Sequence, residues 1–200
     1  MALESLQDLY LEQLRDLYSA EKQIIEALPK MIEETEHPEL RKGFEMHLRQ
    51  TEEQVRRLEQ IEKRLGQKLS GHKCKGMEGL LEEGEELMEE HADSDVLDAA
   101  LIASAQRVEH YEIAGYGCAR TYARLLGLED DARLLQRTLD EEGETDKLLT
   151  EMAESVINIE ALMGDGDASD REVRRSAQRD VAGGKSAGRT KSGGREEKRI

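Results

Sequence analysis

The chain has no tryptophan, a single phenylalanine (Phe44), two prolines and two cysteines among its 200 residues. Without large aromatics, any core must be assembled from Leu, Ile, Val, Met and Ala. Scarce proline, with 37% charged and 37% hydrophobic residues, argues against a sandwich or barrel and for long solvated helices. Cys74 and Cys118 have no close spacing, which excludes a disulfide framework and a zinc finger. No stretch approaches the roughly 18 consecutive apolar residues that a membrane span requires. The N-terminal "MALESLQDLYLEQL" already reads as an acidic helix rather than a secretory signal, and the expected location is cytoplasmic.

The net charge of −16 conceals an asymmetry. Residues 171–200 hold ten Lys/Arg against four acids, a balance of +6, so the rest of the chain carries −22. An acidic body repels nucleic acid and membrane surfaces and attracts cations. The segment 164–200, "GDGDASDREVRRSAQRDVAGGKSAGRTKSGGREEKRI", is too poor in apolar residues to pack and is expected to be a disordered basic tail. It is the one part of the chain suited to a polyanion.

Residues 1–163 show four long amphipathic stretches. The first follows Leu3, Leu6, Tyr10, Leu14, Leu17, Glu21, Ile24, Leu28 and Met31, and "EETEHPE" turns it into a second that starts at Pro38. That one runs through Leu40, Phe44, His47, Thr51, Val55 and Leu58 to Leu65 and stops at Gly66. A third spans about 95–126, and a fourth begins near Asp130 and passes Leu135, Thr138, Glu142, Thr145, Leu149 and Val156. Short turns make each consecutive pair an antiparallel hairpin, while about thirty residues separate the pairs and hold one short amphipathic helix near 76–90. Hairpin, long crossover, hairpin is the connectivity of a ferritin-like four-helix bundle.

The apolar stripes are interrupted by acids. Glu21 sits among Leu17, Ile24, Ile25 and Leu28, and a bare buried carboxylate costs several kcal/mol unless it is neutralised, paired or metal-bound. The same irregularity recurs in every helix. His47 and Thr51 lie on the second stripe beside Gln50 and Gln54. Glu109 and Glu112, one turn apart, lie on the third. Glu142 and Thr145 lie on the fourth, flanked by Glu141, Glu144 and Asp146. Counting outward from the turns puts Glu21 opposite about residue 51, Glu112 opposite about 144 and Glu109 opposite about 147. All four polar clusters thus fall at mid-height, for which independent solvated faces offer no reason. Carboxylates with an imidazole suit iron or manganese, and two such cations bridged by carboxylates form a centre for dioxygen or peroxide chemistry. Tyr18 and Tyr111 are candidates to donate hydrogen bonds or electrons nearby, or simply core filling. Cys118 reads as a small core residue and the His72–Cys74 pair as a loop feature.

The blocks "DLYSAEKQIIEALPKM", "HLRQTEEQVRRLEQI", "KGMEGLLEEG", "DAALIASAQRVEHYEIAGYG" and "LLQRTLDEEGETDKLLTEMA" resemble the successive blocks of the YciF-like family, bacterial ferritin-like proteins linked to stress responses. The resemblance covers about residues 3–160. It implies a ferritin-like bundle with a crossover helix, a homodimer, and a dinuclear metal site without an established reaction. Position by position, the family's acidic residues fall on Glu21, Glu109, Glu112, Glu142 and Asp146, with His47 as the polar residue of the second helix. The chain departs from better-known di-iron bundles, which carry Glu-x-x-His twice. Its one such motif, Glu34-Thr-Glu-His37, stands at the first turn, and "DEEGE" places Glu144 where bacterioferritin-type sequences have histidine. The competing expectation is a metal-free helical scaffold that acts by dimerisation or partner binding in stress, its carboxylates paired with His47, His110 or arginines.

Overall fold

A computed structural model describes residues 3–90 and 93–163; the expected disordered basic tail, 164–200, lies outside the described residues. The helices are α1 (Leu6–Glu34), α2 (Pro38–Leu65), α3 (Lys75–Glu89), α4 (Ser94–Leu125) and α5 (Glu129–Met152). A π-helical turn (Ala153–Ile157) and a short α6 (Asn158–Met163) extend α5. Among the described residues there is no strand, and no helix is long and apolar enough to cross a membrane.

Local chemistry sets the boundaries. Ser5 caps α1, accepting from the Asp8 amide at 3.1 Å, and the acid at Asp8 complements the helix N-terminus. Pro38 opens α2, where its missing N–H costs nothing, and Gly66 closes it in the left-handed conformation, φ 62°, which glycine adopts without strain. Pro29 lies inside α1 and removes one backbone donor, yet the helix continues to Glu34 because its apolar stripe remains anchored at Leu28 and Met31. The crossover helix starts at a thiol: Cys74 is buried and its Sγ accepts from the Met77 amide at 3.3 Å. Cys74 thus lies in the loop, as expected, as the residue that caps α3. Cys118 is exposed rather than part of the core, because it shares its face of α4 with the exposed Ala114, Thr121 and Leu125.

α1 packs on α2 and α4, α5 packs on α4 and α2, and α3 lies against α1 and α4. This is the ferritin-like square of four helices with the crossover helix laid along one side. Gly115 lets α1 and α4 approach closely, since a Cβ there would stand 2.8 Å from Leu17 Cδ2. Side-chain contacts fix the α4–α5 register. Gln106 donates to Thr150 at 2.8 Å, His110 faces Asp146 at 3.3 Å, and Arg120 donates to Gln136 at 2.7 Å. This register places Glu112 level with residue 144 and Glu109 level with 147, as the turn count requires.

The interior divides into storeys. One apolar cluster gathers Ile24, Leu28, Phe44, Met77, Leu101, Val108 and Leu149. Another gathers Tyr10, Leu14, Leu17, Leu58, Ile61, Tyr116 and Leu135 at the opposite end. Between them, each of the four bundle helices turns a buried polar residue inward: Glu21, His47, Thr51, Gln54, Glu109, Glu112, Thr138 and Glu142. The stripes are continuous in period but not in chemistry, and the break is at one height.

Candidate metal centre

The polar storey is drier than its composition suggests. Glu21, Glu112 and Glu142 have no exposed surface, Glu109 has 1% and His47 has 4%. His47, Glu109, Glu112 and Glu142 each offer one ligand atom such that all four lie within 4.8 Å of one another. They come from α2, α4 and α5, so only the folded bundle assembles them. Glu109 and Glu112 share a face of α4 because three residues make almost one turn.

Glu21 stands beside the quartet. Tyr116 donates its hydroxyl to Glu21 Oε1, while Oε2 finds no partner among the described residues. The charges of Glu142 and Glu112 act on it or feel it. The Gln54 amide donates to Glu142 Oε1 and reaches Glu141 at 3.4 Å. Five carboxylate oxygens remain buried without a hydrogen-bond partner: Glu21 Oε2, Glu109 Oε2, both of Glu112, and Glu142 Oε2. His47 Nε2 lies 3.3 Å from Glu109 Oε1, but off the angle for a hydrogen bond, and both ring nitrogens are unpartnered.

Burial dominates the electrostatics. It pushes the carboxyls of Glu21, Glu109 and Glu112 well above the usual range, and the mutual repulsion of the acids adds to the rise. Glu142 is raised to about 7, again by burial first, with its hydrogen-bond contact to Glu109 opposing the rise. That contact raises Glu109, so the two carboxyls are close enough to share a proton. Burial drives His47 down to about 4, so its ring is neutral at neutral pH and supplies no counter-charge. The nearest strong cation is committed elsewhere: Arg57 holds Glu141 through two bonds of 2.6 and 2.7 Å and donates to Thr138 at 2.9 Å.

A set of buried acids in this condition either keeps its protons or takes a cation. The residues fit a metal on chemical grounds. Carboxylate oxygens and a neutral imidazole, with no thiolate among them, select hard to borderline divalent ions. Cys74 is near enough to influence Glu112, but its Sγ is occupied by Tyr111 at 3.0 Å and Asp16 at 3.3 Å.

Of the six residues expected to ligate, the fold brings His47, Glu109, Glu112 and Glu142 together and sets Glu21 next to them. Asp146 is placed at the rim, its side chain 22% exposed, where Gln106 donates to it at 3.1 Å and His110 faces it. His110, 70% exposed, is outside the storey. The tyrosine at the site is Tyr116, not Tyr18 or Tyr111. Tyr111 instead donates to Asp16 at 2.5 Å, and Tyr18 is only partly buried. Tyr116 follows Glu112 by four residues, a spacing that sequence reasoning could have used. Nothing in the sequence marks Arg57 as the partner of Glu141.

Residues 5–162 match the family described as Domain of unknown function (DUF892). The protein YciF of Escherichia coli K12 is 43% identical over 162 residues, covering 80% of this chain and 98% of its own length. The crystal structure of that E. coli stress protein superposes with a TM-score of 0.75 at 42% identity, covering 78% of this chain and 99% of that one. YcfI of Rhodopseudomonas palustris gives a TM-score of 0.72 at 47% identity, covering 74% and 94%. A Xanthomonas campestris protein, 21% identical with a TM-score of 0.61 over 76% of this chain and 94% of that one, shares the fold. With a match that runs from the first helix to the last and a relative this similar over nearly its whole length, the chain belongs to the DUF892 family and is a homologue of the stress protein YciF.

Proposed function

We propose that this chain is a ferritin-like stress-response protein whose polar storey binds two divalent cations, iron or manganese. The observation that carries the reading is the set of five buried carboxylate oxygens without a hydrogen-bond partner among the described residues. Four ionised carboxylates carry four negative charges, which two divalent ions cancel. Glu109, Glu112, Glu142 and Glu21 would hold the ions, with His47 as a neutral nitrogen ligand. Tyr116 and Gln54 orient Glu21 and Glu142 by donating to one oxygen of each, which leaves the other oxygen for the metal. Bound iron or manganese supplies electron transfer with dioxygen or peroxide. The chain's own contribution is to exclude water above and below through the two apolar clusters and to exchange carboxyl protons for metal charge.

The competing scaffold reading requires an internal cation for these acids. His47 is neutral, His110 is at the surface, and Arg57, whose charge lowers Glu21 and Glu142, makes its hydrogen bonds to Glu141 and Thr138, so one shared cation faces four acids. The test is direct. Protein loaded anaerobically with Fe(II) or with Mn(II), then desalted, is analysed by plasma mass spectrometry. About two ions per chain are expected, whereas none with either metal returns the protein to the scaffold reading. Light scattering of the same samples checks the homodimer that belongs to this proposal.

A further inference from the structure

The quartet adjoins a small, partly open apolar hollow. A cavity of about 20 Å³ is walled by Ile24, Ala27, Leu28, Met31, Phe44, Leu81, Ala105 and Val108, and its remaining wall is His47 and Glu109. It is dry in character and barely of water size. A groove of about 300 Å³ opens on the surface between α1, α3 and α4. The two share Ala27, Met31, Leu81, Ala105 and Val108, so a single layer of side chains separates solvent from the polar storey here. On the α2–α5 side, by contrast, Gln54, Arg57, Thr138 and Glu141 are knitted by hydrogen bonds.

The partition is lightly anchored on its α3 side. α3 buries only Met77 and Gly84 completely, while Leu80, Leu81 and Met88 are partly buried. The Lys30–Glu85 ion pair, 2.6 Å, ties α3 to α1, but both side chains are about half exposed and such a pair contributes little. Leu81, partly buried and lining both, is the side chain whose displacement would join groove and cavity. The walls then decide what passes. Ile24, Leu28, Phe44 and Val108 offer no hydrogen bond, so a hydrated ion would lose its water there without replacement. A small neutral molecule loses nothing of the kind.

We propose that the groove between α1, α3 and α4 and the apolar cavity behind it form the entry route for a neutral diatomic molecule, dioxygen, to the His47–Glu109 side of the centre, with Leu81 and Ala105 in the partition. The proposal rests on the metal-centre reading for its purpose, but not for its first test. Xenon is an apolar probe of similar size. Crystals of the metal-free protein pressurised with xenon should show an atom among Phe44, Leu81, Ala105 and Val108, and Ala105→Leu should abolish it. In the Fe(II)-loaded protein, Ala105→Leu should slow oxidation by dissolved dioxygen at least tenfold while iron stoichiometry stays unchanged. Ala27→Leu, at a partly exposed position, serves as a second blocking variant should Ala105→Leu fail to fold. Absence of xenon from the wild-type cavity overturns the route, as does an unchanged oxidation rate in a folded, iron-replete blocked variant. Xenon binding in a protein that takes up no metal would overturn the functional reading and leave the cavity assignment standing.

Discussion

Two sets of buried acids in this bundle are treated in opposite ways. Asp131, its side chain 3% exposed, lies near one end, where Tyr10 donates to it at 3.2 Å and Arg64 at 2.7 Å. Asp98 accepts the backbone amides of Glu36 and His37 at 3.1 and 2.8 Å and so ties α4 to the turn between α1 and α2. Glu141 has the fork of Arg57. In the polar storey, the equally buried Glu112 has neither oxygen partnered, and Glu21, Glu109 and Glu142 each keep one free. The fold therefore satisfies its other interior acids and leaves these at most half satisfied at one height. Arg57 shows this most clearly, since it lies beside the storey yet spends its carboxylate-directed donors on Glu141. An acid that serves the fold is given its partners by the chain; on the metal-binding reading proposed above, these acids are left for a cation.

The contrast breaks most visibly at Glu112. Glu112→Gln keeps the shape and removes the charge. Its metal affinity should fall by more than about 100-fold, beyond the roughly 10–100-fold that loss of an outer-sphere partner costs. The metal-free protein should stay within about 1 kcal/mol of wild type in urea unfolding, because no charge is left to desolvate. Equal destabilisation of Glu112→Gln and Asp131→Asn would erase the distinction between the two sets. Asp131→Asn should cost about 2 kcal/mol in the same measurement, a modest value because Arg64 is 40% exposed and can return to water. Its metal uptake should match wild type.

Smaller effects sharpen the same comparison. Tyr116→Phe frees the oriented oxygen of Glu21, and titration calorimetry should show metal affinity reduced about tenfold. Thermal melts against pH test the storey's protons. Glu142, raised from 4.5 to about 7, keeps in the folded chain a proton that the unfolded chain has lost above about 4.5, and Glu21, Glu109 and Glu112 are raised in the same direction. Stability from these groups is present at the acid end of that window and is lost as pH rises through it. His47, lowered from 6.5 to about 4, works in the opposite sense between those two values, but it is one group against four carboxyls. The metal-free protein should therefore melt lower as pH rises across the upper part of this window, and added Mn(II) should reverse the slope by displacing the protons. A flat profile in both states would mean that these acids are not held protonated.

The helices were readable to within a few residues because the period of their inward face is long and continuous, even where its chemistry changes. α2 was expected from Pro38 to Leu65 and has those bounds, and the crossover helix is displaced by a single residue. The first helix begins at Leu6 rather than near Leu3, since Ser5 supplies the cap. The π-helical turn at Ala153–Ile157 has no signature in the pattern, which registers helical faces but not one extra residue in a turn. The mid-height coincidence of polar residues was legible by counting, because helices rise a fixed distance per residue. The fate of Asp146 was not. It lies four residues after Glu142 and three after Gly143, near the edge of the inward sector, where a modest rotation of α5 decides between the storey and the rim.

The sequence by itself determined four helices, their hairpin connectivity, the crossover helix and the height at which polar residues interrupt every stripe. These follow from period, turn chemistry and rise per residue, all of them local. Only the tertiary structure decided that Tyr116 serves Glu21, that Arg57 is spent on Glu141, that Asp146 faces His110, and that an apolar void lies behind His47. Those outcomes depend on the rotation and spacing of helices far apart in the chain, and no local period encodes which of two neighbouring side chains reaches a partner first.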